Sequence, residues 1–173
     1  RRQRQMCIRD SDKSSFVGGN VFIDYDEEGN TRASIGLALK SSSIDVLANY
    51  YAAICQMNLG PNDSINYYEN ALNSLNNFDT NDEILYSLST GLKGDANLEL
   101  GNITEALNYY VSASTDYTND FTTPYFMMKQ AFVHELNEDY NSALNIYESI
   151  KENYPQSKEG LSVDKYISSA SNR

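Results

Sequence analysis

The chain has 173 residues, 40% of them hydrophobic and 21% charged, which is enough for one domain with a sizeable core. Its net charge of −11 and pI near 4.4 would repel a nucleic-acid backbone or an anionic lipid surface. No apolar run approaches the roughly 20 residues that span a bilayer. The two cysteines, Cys7 and Cys55, lack the spacing of a redox or metal pair.

The N-terminal stretch RRQRQMCIRDS, with Arg1, Arg2, Arg4 and Arg9, clashes in composition with the acidic, Asn- and Tyr-rich chain that follows. It reads as translated sequencing-adapter DNA, the alternative being a basic disordered tail, and residues 1–13 are set aside on that ground. Position 1 is not Met, so an upstream segment and any anchor it carries are expected. Residues 14–42 give two readings. VFIDY followed by DEEGN fits a strand and turn, with a hairpin partner near Arg32–Leu37. The preferred reading is a helix over Thr31–Ser42, in keeping with the helical pattern downstream.

From Ser43 the periodicity firms up. Ser43 or Asp45 caps a helix to Leu59, with Leu47, Tyr50, Tyr51, Ile54 and Met57 on a broad apolar face. Gly60 and Pro61 stop it, and Asn62 or Asp63 caps a partner from Ser64 to about Asn76. Thr80 and Glu83 have capping-box spacing before a helix over Ile84–Leu100, which Gly101 ends. Its partner is Ile103–Thr115. Thr123 as cap with Pro124 at the first helical position opens Tyr125–Leu136. After a turn at Asn137–Asp139 comes Tyr140–Asn153. Tyr154-Pro155 breaks the chain, Ser157 caps, and Lys158–Ser169 forms a last helix.

The first helices of these pairs carry small residues at Ala53, Gly94 and Ala131, with separations of 41 and 37 residues, and the second helices carry Ser64, Ala106 and Ala143. Small side chains at such positions let two helices cross closely, and a larger one at Ala106 would overpack the joint. A helical hairpin recurring with little chemistry inside it is the pattern of a repeat scaffold.

The run Gly94, Gly101, Ala106, Tyr110, Ala113 resembles the tetratricopeptide repeat. A later copy keeps Ala131, Tyr140, Ala143, Tyr147 and Pro155, and an earlier one keeps Ala53, Gly60, Tyr68 and Ala71 with a turn one residue short. The family's early Trp is replaced by Asn49, Thr90 and Met127, and the periods exceed its usual length of about 34 residues. The resemblance implies an all-α fold: a right-handed superhelical solenoid of about three hairpins, 43–77, 82–115 and 123–155, plus a capping helix over 157–169, within a domain of residues 43–170. LANYYAAICQMNLG, LKGDANLELGNITEALNYY and YPQSKEGLSVDKYI further resemble bacterial cell-envelope proteins of this kind, which carry an N-terminal membrane anchor. That likeness implies the periplasmic side of an inner membrane, a cytoplasmic location being the alternative, with no membrane insertion by this stretch.

The chemistry of a catalyst is hard to assemble from this chain. His134, its one histidine, falls where the repeat places a packing aromatic, and reads as a hydrogen-bonded structural residue. No metalloprotease, nucleophile-elbow or phosphate-loop motif is present. Asp82-Glu83 and Asp26–Glu28 suit solvated turns and caps, and DYDEEGN lacks the ligand spacing of a calcium loop. Cys55 reads as inert core, and Met127-Met128 as core plus groove lining. No cofactor or metal is expected.

The remaining feature is a concave surface lined by the first helix of each pair. The family's register implies a groove of Tyr50, Ile54, Met57 and Asn58, then Asp95, Leu98 and Glu99, then Tyr125, Met128, Phe132 and Glu135. Relatives that clamp a C-terminal carboxylate use Lys and Asn there. This chain has Ile54, Asp95 and Phe132 at the Asn position, so the expected partner is a peptide or protein of basic and apolar character. Self-association into a homo-oligomer is the alternative.

Overall fold

The computed structural model describes residues 21–25, 31–35, 42–60 and 65–173, with side chains over 47–60 and 66–173. The chain divides into two compact units, Arg1–Thr80 and Asn81–Arg173.

In the first unit two strands, β1 (Val21–Tyr25) and β2 (Thr31–Ile35), pair antiparallel. The register sets Val21 opposite Ile35, Ile23 opposite Ala33 and Asp24 opposite Arg32. The helix expected over Thr31–Ser42 is therefore corrected: its first five residues form a strand, and residues 36–41 lie outside the described residues. The physical reason is pairing. VFIDY and TRASI each complete the other's backbone hydrogen bonds, and a lone TRASI turn of helix has no such partner. The acidic turn at 26–30 and Cys7 also lie outside the described residues.

The first helical hairpin is α1 (Ser42–Leu59) and α2 (Ile65–Asn76). Ala48, Ala52 and Ala53 of α1 and Tyr67, Tyr68, Ala71 and Leu75 of α2 are buried. Gly60 passes so close to Tyr68 that a Cβ on it would stand 2.2 Å from the ring, which would have to move to admit any larger residue. Ser74 donates to Gln56 Oε1 at 3.0 Å, which satisfies a glutamine only 2% exposed. Ser64, named as the small residue of α2, lies outside the described residues.

The second unit holds α3 (Glu83–Glu99), α4 (Ile103–Thr115), α5 (Thr122–Leu136), α6 (Tyr140–Asn153), a single 3₁₀ turn (Gly160–Ser162) and α7 (Asp164–Ala170). Each packs on the next in chain order, giving two stacked hairpins closed by a short helix. From Ser42 on, the described helices pair as hairpins within each unit, which is the all-α helical-repeat class expected, with β1–β2 ahead of them. Gly94 makes the first crossing: a Cβ there would lie 2.6 Å from the Tyr110 ring and 3.2 Å from the Ala106 carbonyl. Ala131, Ala143 and Tyr147 make the second and are each 0% exposed. Between hairpins, Gln130 of α5 donates to the Tyr110 carbonyl and to Ser114 Oγ of α4, at 3.1 and 2.7 Å.

Three helix starts differ from the sequence expectation. Asp82, not Thr80, caps α3, its carboxylate accepting from the Leu85 amide at 2.8 Å. A carboxylate next to the first turn outbids a hydroxyl two residues earlier because it also meets the positive end of the helix dipole. At α5 the cap comes from Asn119, whose Oδ1 accepts from the Phe121 and Thr122 amides, so Pro124 sits third in the helix rather than first. Proline is still tolerated there because first-turn amides have no intrahelical acceptor. The expected helix over Lys158–Ser169 is split. Ser157 bonds the Tyr154 carbonyl and the Gly160 amide, holding a 3₁₀ turn, and α7 starts only at Asp164.

Candidate interaction surface

The residues expected to line a groove fall into two groups. On α1, Tyr50, Ile54 and Met57 are half-buried and Asn58 is exposed, its amide donating to the Ile54 carbonyl. Burial, with Tyr51 beside it, raises the Tyr50 phenol pKa, and its ring packs on Phe78 at 5.3 Å. The second group belongs to α3 and α5 and falls within one unit.

There the structure adds a residue that sequence reasoning missed. Lys129 of α5 reaches back to α3 and ion-pairs with Asp95 at 2.5 Å. Its ammonium also lies 5.2 Å from the Tyr125 ring centre and 5.6 Å from that of Tyr110. Asp95 accepts a second hydrogen bond from the Tyr110 hydroxyl at 2.6 Å. Burial of the Tyr110 phenol, then the Asp95 charge, pushes its pKa far above the ordinary value of 10.0. The clue in the sequence was the i, i+4 spacing of Tyr125 and Lys129; the link to Asp95, across 34 residues, had no local signal.

Asp95 is therefore a member of a closed polar cluster, with its side chain 28% exposed. Leu98 is half-buried against the core formed around Tyr110 and Phe126, and Met128 is core, only 7% exposed. Glu99, Tyr125 and Phe132 remain exposed, and Glu135 is half-buried. The Glu135 carboxylate accepts from the Tyr147 hydroxyl at 3.2 Å, and burial followed by that charge raises the Tyr147 pKa strongly. Phe132 meets Tyr147 and Tyr166 edge-on, at 6.4 and 5.4 Å. The strip is thus aromatic and acidic, and its cation is already paired.

His134 Nδ1 lies 3.1 Å from Asp139 Oδ2, tying the end of α5 to the start of α6. Asp139 also caps α6 through the Ser142 amide, and the Ser142 bonds, ahead of His134, hold its pKa below the usual carboxylate value. Cys55 is half-buried on α1 and is not in a disulfide. Among the described residues no group of three or more His, Cys, Asp or Glu side chains converges on a metal-sized site. No described helix is long and apolar enough to cross a membrane.

Stacked helical hairpins with small residues at each crossing define a helical repeat protein. Residues 125–157, which cover most of α5, α6 and the turn after them, match the family model of the tetratricopeptide repeat, so this hairpin is similar to that repeat. A second family model, the inverse autotransporter beta-domain, matches residues 6–76. Among the described residues of that span, β1 and β2 are strands, and 42–59 and 65–76 are helical. No curated protein matches the chain.

Proposed function

We propose that the protein is a non-catalytic interaction module whose α3–α5 strip binds a peptide or protein segment of basic and apolar character. Tetratricopeptide repeats are interaction repeats rather than enzymes, and the match at 125–157 falls on the hairpin that supplies Tyr125 and Phe132. One observation carries the choice of partner. Lys129 is engaged by Asp95 and two tyrosine rings, so an approaching anion meets Glu99 and Glu135, whereas a cation meets those carboxylates and the exposed Phe132 ring.

A peptide library displayed on phage and selected on the whole chain tests it. Peptides rich in Arg, Lys and apolar residues are expected, and Phe132→Ala or Glu99→Gln should weaken them roughly tenfold, the scale of one interface anchor. Enrichment of acidic peptides alone would refute the reading.

The match to an inverse autotransporter domain supports a place in the bacterial cell envelope, and a tether on the periplasmic side rests on the resemblance to envelope repeat proteins alone. Fractionation of the native protein into the cytoplasm with no envelope pool would remove that part. Self-association is a second reading, favoured by Leu136 and Leu161 at 66% and 75% exposure. Sedimentation at rising concentration separates it, since a monomer throughout excludes it.

A further inference from the structure

The loop joining α4 to α5, residues 116–121, is built around Asn119. Its Oδ1 accepts from the Phe121 and Thr122 amides at 2.9 and 2.7 Å, and its Nδ2 donates to Thr122 Oγ1 at 2.7 Å and to the Tyr117 carbonyl at 3.3 Å. Its own amide donates to Thr123 Oγ1 at 2.9 Å. A loop fixed by five such bonds loses little entropy when something docks on it. What it presents is apolar: Phe121 is 67% exposed and Tyr117 40%. The Tyr117 ring stands edge-on to Tyr86 at 5.0 Å, and the Tyr86 hydroxyl donates to Asp116 Oδ2 at 2.8 Å.

The charge around these rings is one-sided. Asp116 ends α4, where the helix dipole is already negative, and the last turn of α4 holds no basic residue. Asp120 lies beside Phe121, and the sequence has no Lys, Arg or His between Lys93 and Lys129. Ion pairs among the described residues join Asp95 to Lys129, His134 to Asp139 and Lys151 to Asp164, so none reaches Asp116 or Asp120. Exposed aromatic rings beside uncompensated carboxylates suit a guanidinium, which stacks on a ring and accepts no proton bookkeeping at neutral pH.

We propose that this loop is a docking surface separate from the α3–α5 strip, recognising an arginine flanked by apolar residues on a protein partner. The guanidinium lies on Tyr117 and pairs with Asp116 and Asp120, and an apolar neighbour covers Phe121. A second copy of the chain is a poor occupant because it brings a charge of −11 and the same acidic loop.

The test titrates the ¹⁵N-labelled whole chain with the peptide acetyl-Leu-Arg-Leu-Arg-Leu-amide and with its twin carrying citrulline, which keeps the shape of arginine without the charge. Amide shifts at Tyr117–Phe121 are expected, with affinity for the citrulline twin lower by about fivefold or more, the scale of a charge-assisted contact. Asp120→Asn and Phe121→Ser should weaken binding similarly, while Phe132→Ala leaves these shifts unchanged, so the loop and the strip fail or stand separately. Both loop variants alter exposed side chains, and circular dichroism checks that they fold. Equal binding of the two peptides, or shifts insensitive to Phe121→Ser, overturns the proposal. Concentration-dependent dimerisation abolished by Phe121→Ser overturns it in favour of a second copy.

Discussion

In the α3–α4 hairpin, Gly94 of the first helix crosses beneath Tyr110 of the second; in α5–α6, 37 residues later, Ala131 takes that place beside Tyr147. The turns differ too. Gly101 closes the first at φ +80°, where a side chain would be strained, whereas Glu138 occupies the same left-handed region at φ 59° in the second. Asn102 makes no side-chain cap on α4, but Asp139 caps α6 and holds His134 as well. Even the buried phenols differ in partner: Tyr110 donates to Asp95, one residue past its small residue, and Tyr147 to Glu135, one helical turn further on. The two hairpins therefore share a backbone plan and not a set of contacts. A crossing, a turn and a buried hydroxyl each need a solution, and several side chains supply one.

The strongest way to break this parity is to remove a crossing aromatic. Tyr110→Ala and Tyr147→Ala should each cost about 3–5 kcal/mol, the usual range for a large buried ring, since the two are 1% and 0% exposed. Urea unfolding monitored by helicity measures both. Similar losses support equivalent roles, and a loss under 1 kcal/mol at either site would end the equivalence.

Exchanging the small residues sharpens the point. In Gly94→Ala the new methyl meets the Tyr110 ring at 2.6 Å, and overpacking of about 1–3 kcal/mol should exceed the roughly 1 kcal/mol that alanine returns in helix propensity. Ala131→Gly should cost about 1 kcal/mol for the opposite reason, backbone freedom in the unfolded chain. Thermal unfolding of the two variants gives the comparison, and a stabilised Gly94→Ala would show that the ring yields freely.

The turns predict opposite signs. Glu138→Gly should stabilise by about 0.5–1 kcal/mol by relieving a left-handed glutamate, while Gly101→Ala should destabilise by about 1 kcal/mol. Both are read from midpoint shifts in urea, and a Glu138→Gly change with no gain would mean that Asp139 and its bonds already hold the turn without strain.

The pH responses should be the smallest and are specific to one hairpin or shared by both. Asp139 has a folded pKa below its usual 3.8, so its contribution is complete above that value and is lost as pH falls through the folded one. Asp139→Asn should blunt acid loss of α6 without altering α4, where Asn102 stands instead. The raised phenols act at the other end. Tyr110 and Tyr147 favour the folded state fully below pH 10, and that support falls as pH rises beyond it, because the unfolded phenols ionise first. Tyr110→Phe should flatten part of the alkaline slope in an equilibrium unfolding series from pH 8 to 11.

Much of the scaffold was legible one residue at a time. The helix over Tyr140–Asn153 appears with the bounds expected, and Gly60, Gly101, Ala106 and Ala143 sit at the joints their sizes suggested, because stop signals and small crossing residues act within a few positions of themselves. Where two signals competed locally, the sequence ranked them wrongly. TRASI has enough alternation for a strand, but only the presence of β1 beside it decides the matter. Asp82 and Asn119 prevailed over Thr80 and Thr123 as caps through geometry that composition does not carry.

The candidate interaction surface divides along the same line. Sequence alone determined that the chain is acidic, that its first helices carry small residues at Ala53, Gly94 and Ala131, and that aromatic side chains at Tyr125 and Phe132 fall on one helical face, since charge and helical period are properties of the string itself. Tertiary structure decided which of those residues remain available. Met128 went into the core, Asp95 was closed off by Lys129 and Tyr110, and Phe121 was left outside by the bonds of Asn119. Exposure and pairing depend on neighbours many residues away in sequence, and only the packing of α3, α4 and α5 brings those neighbours together.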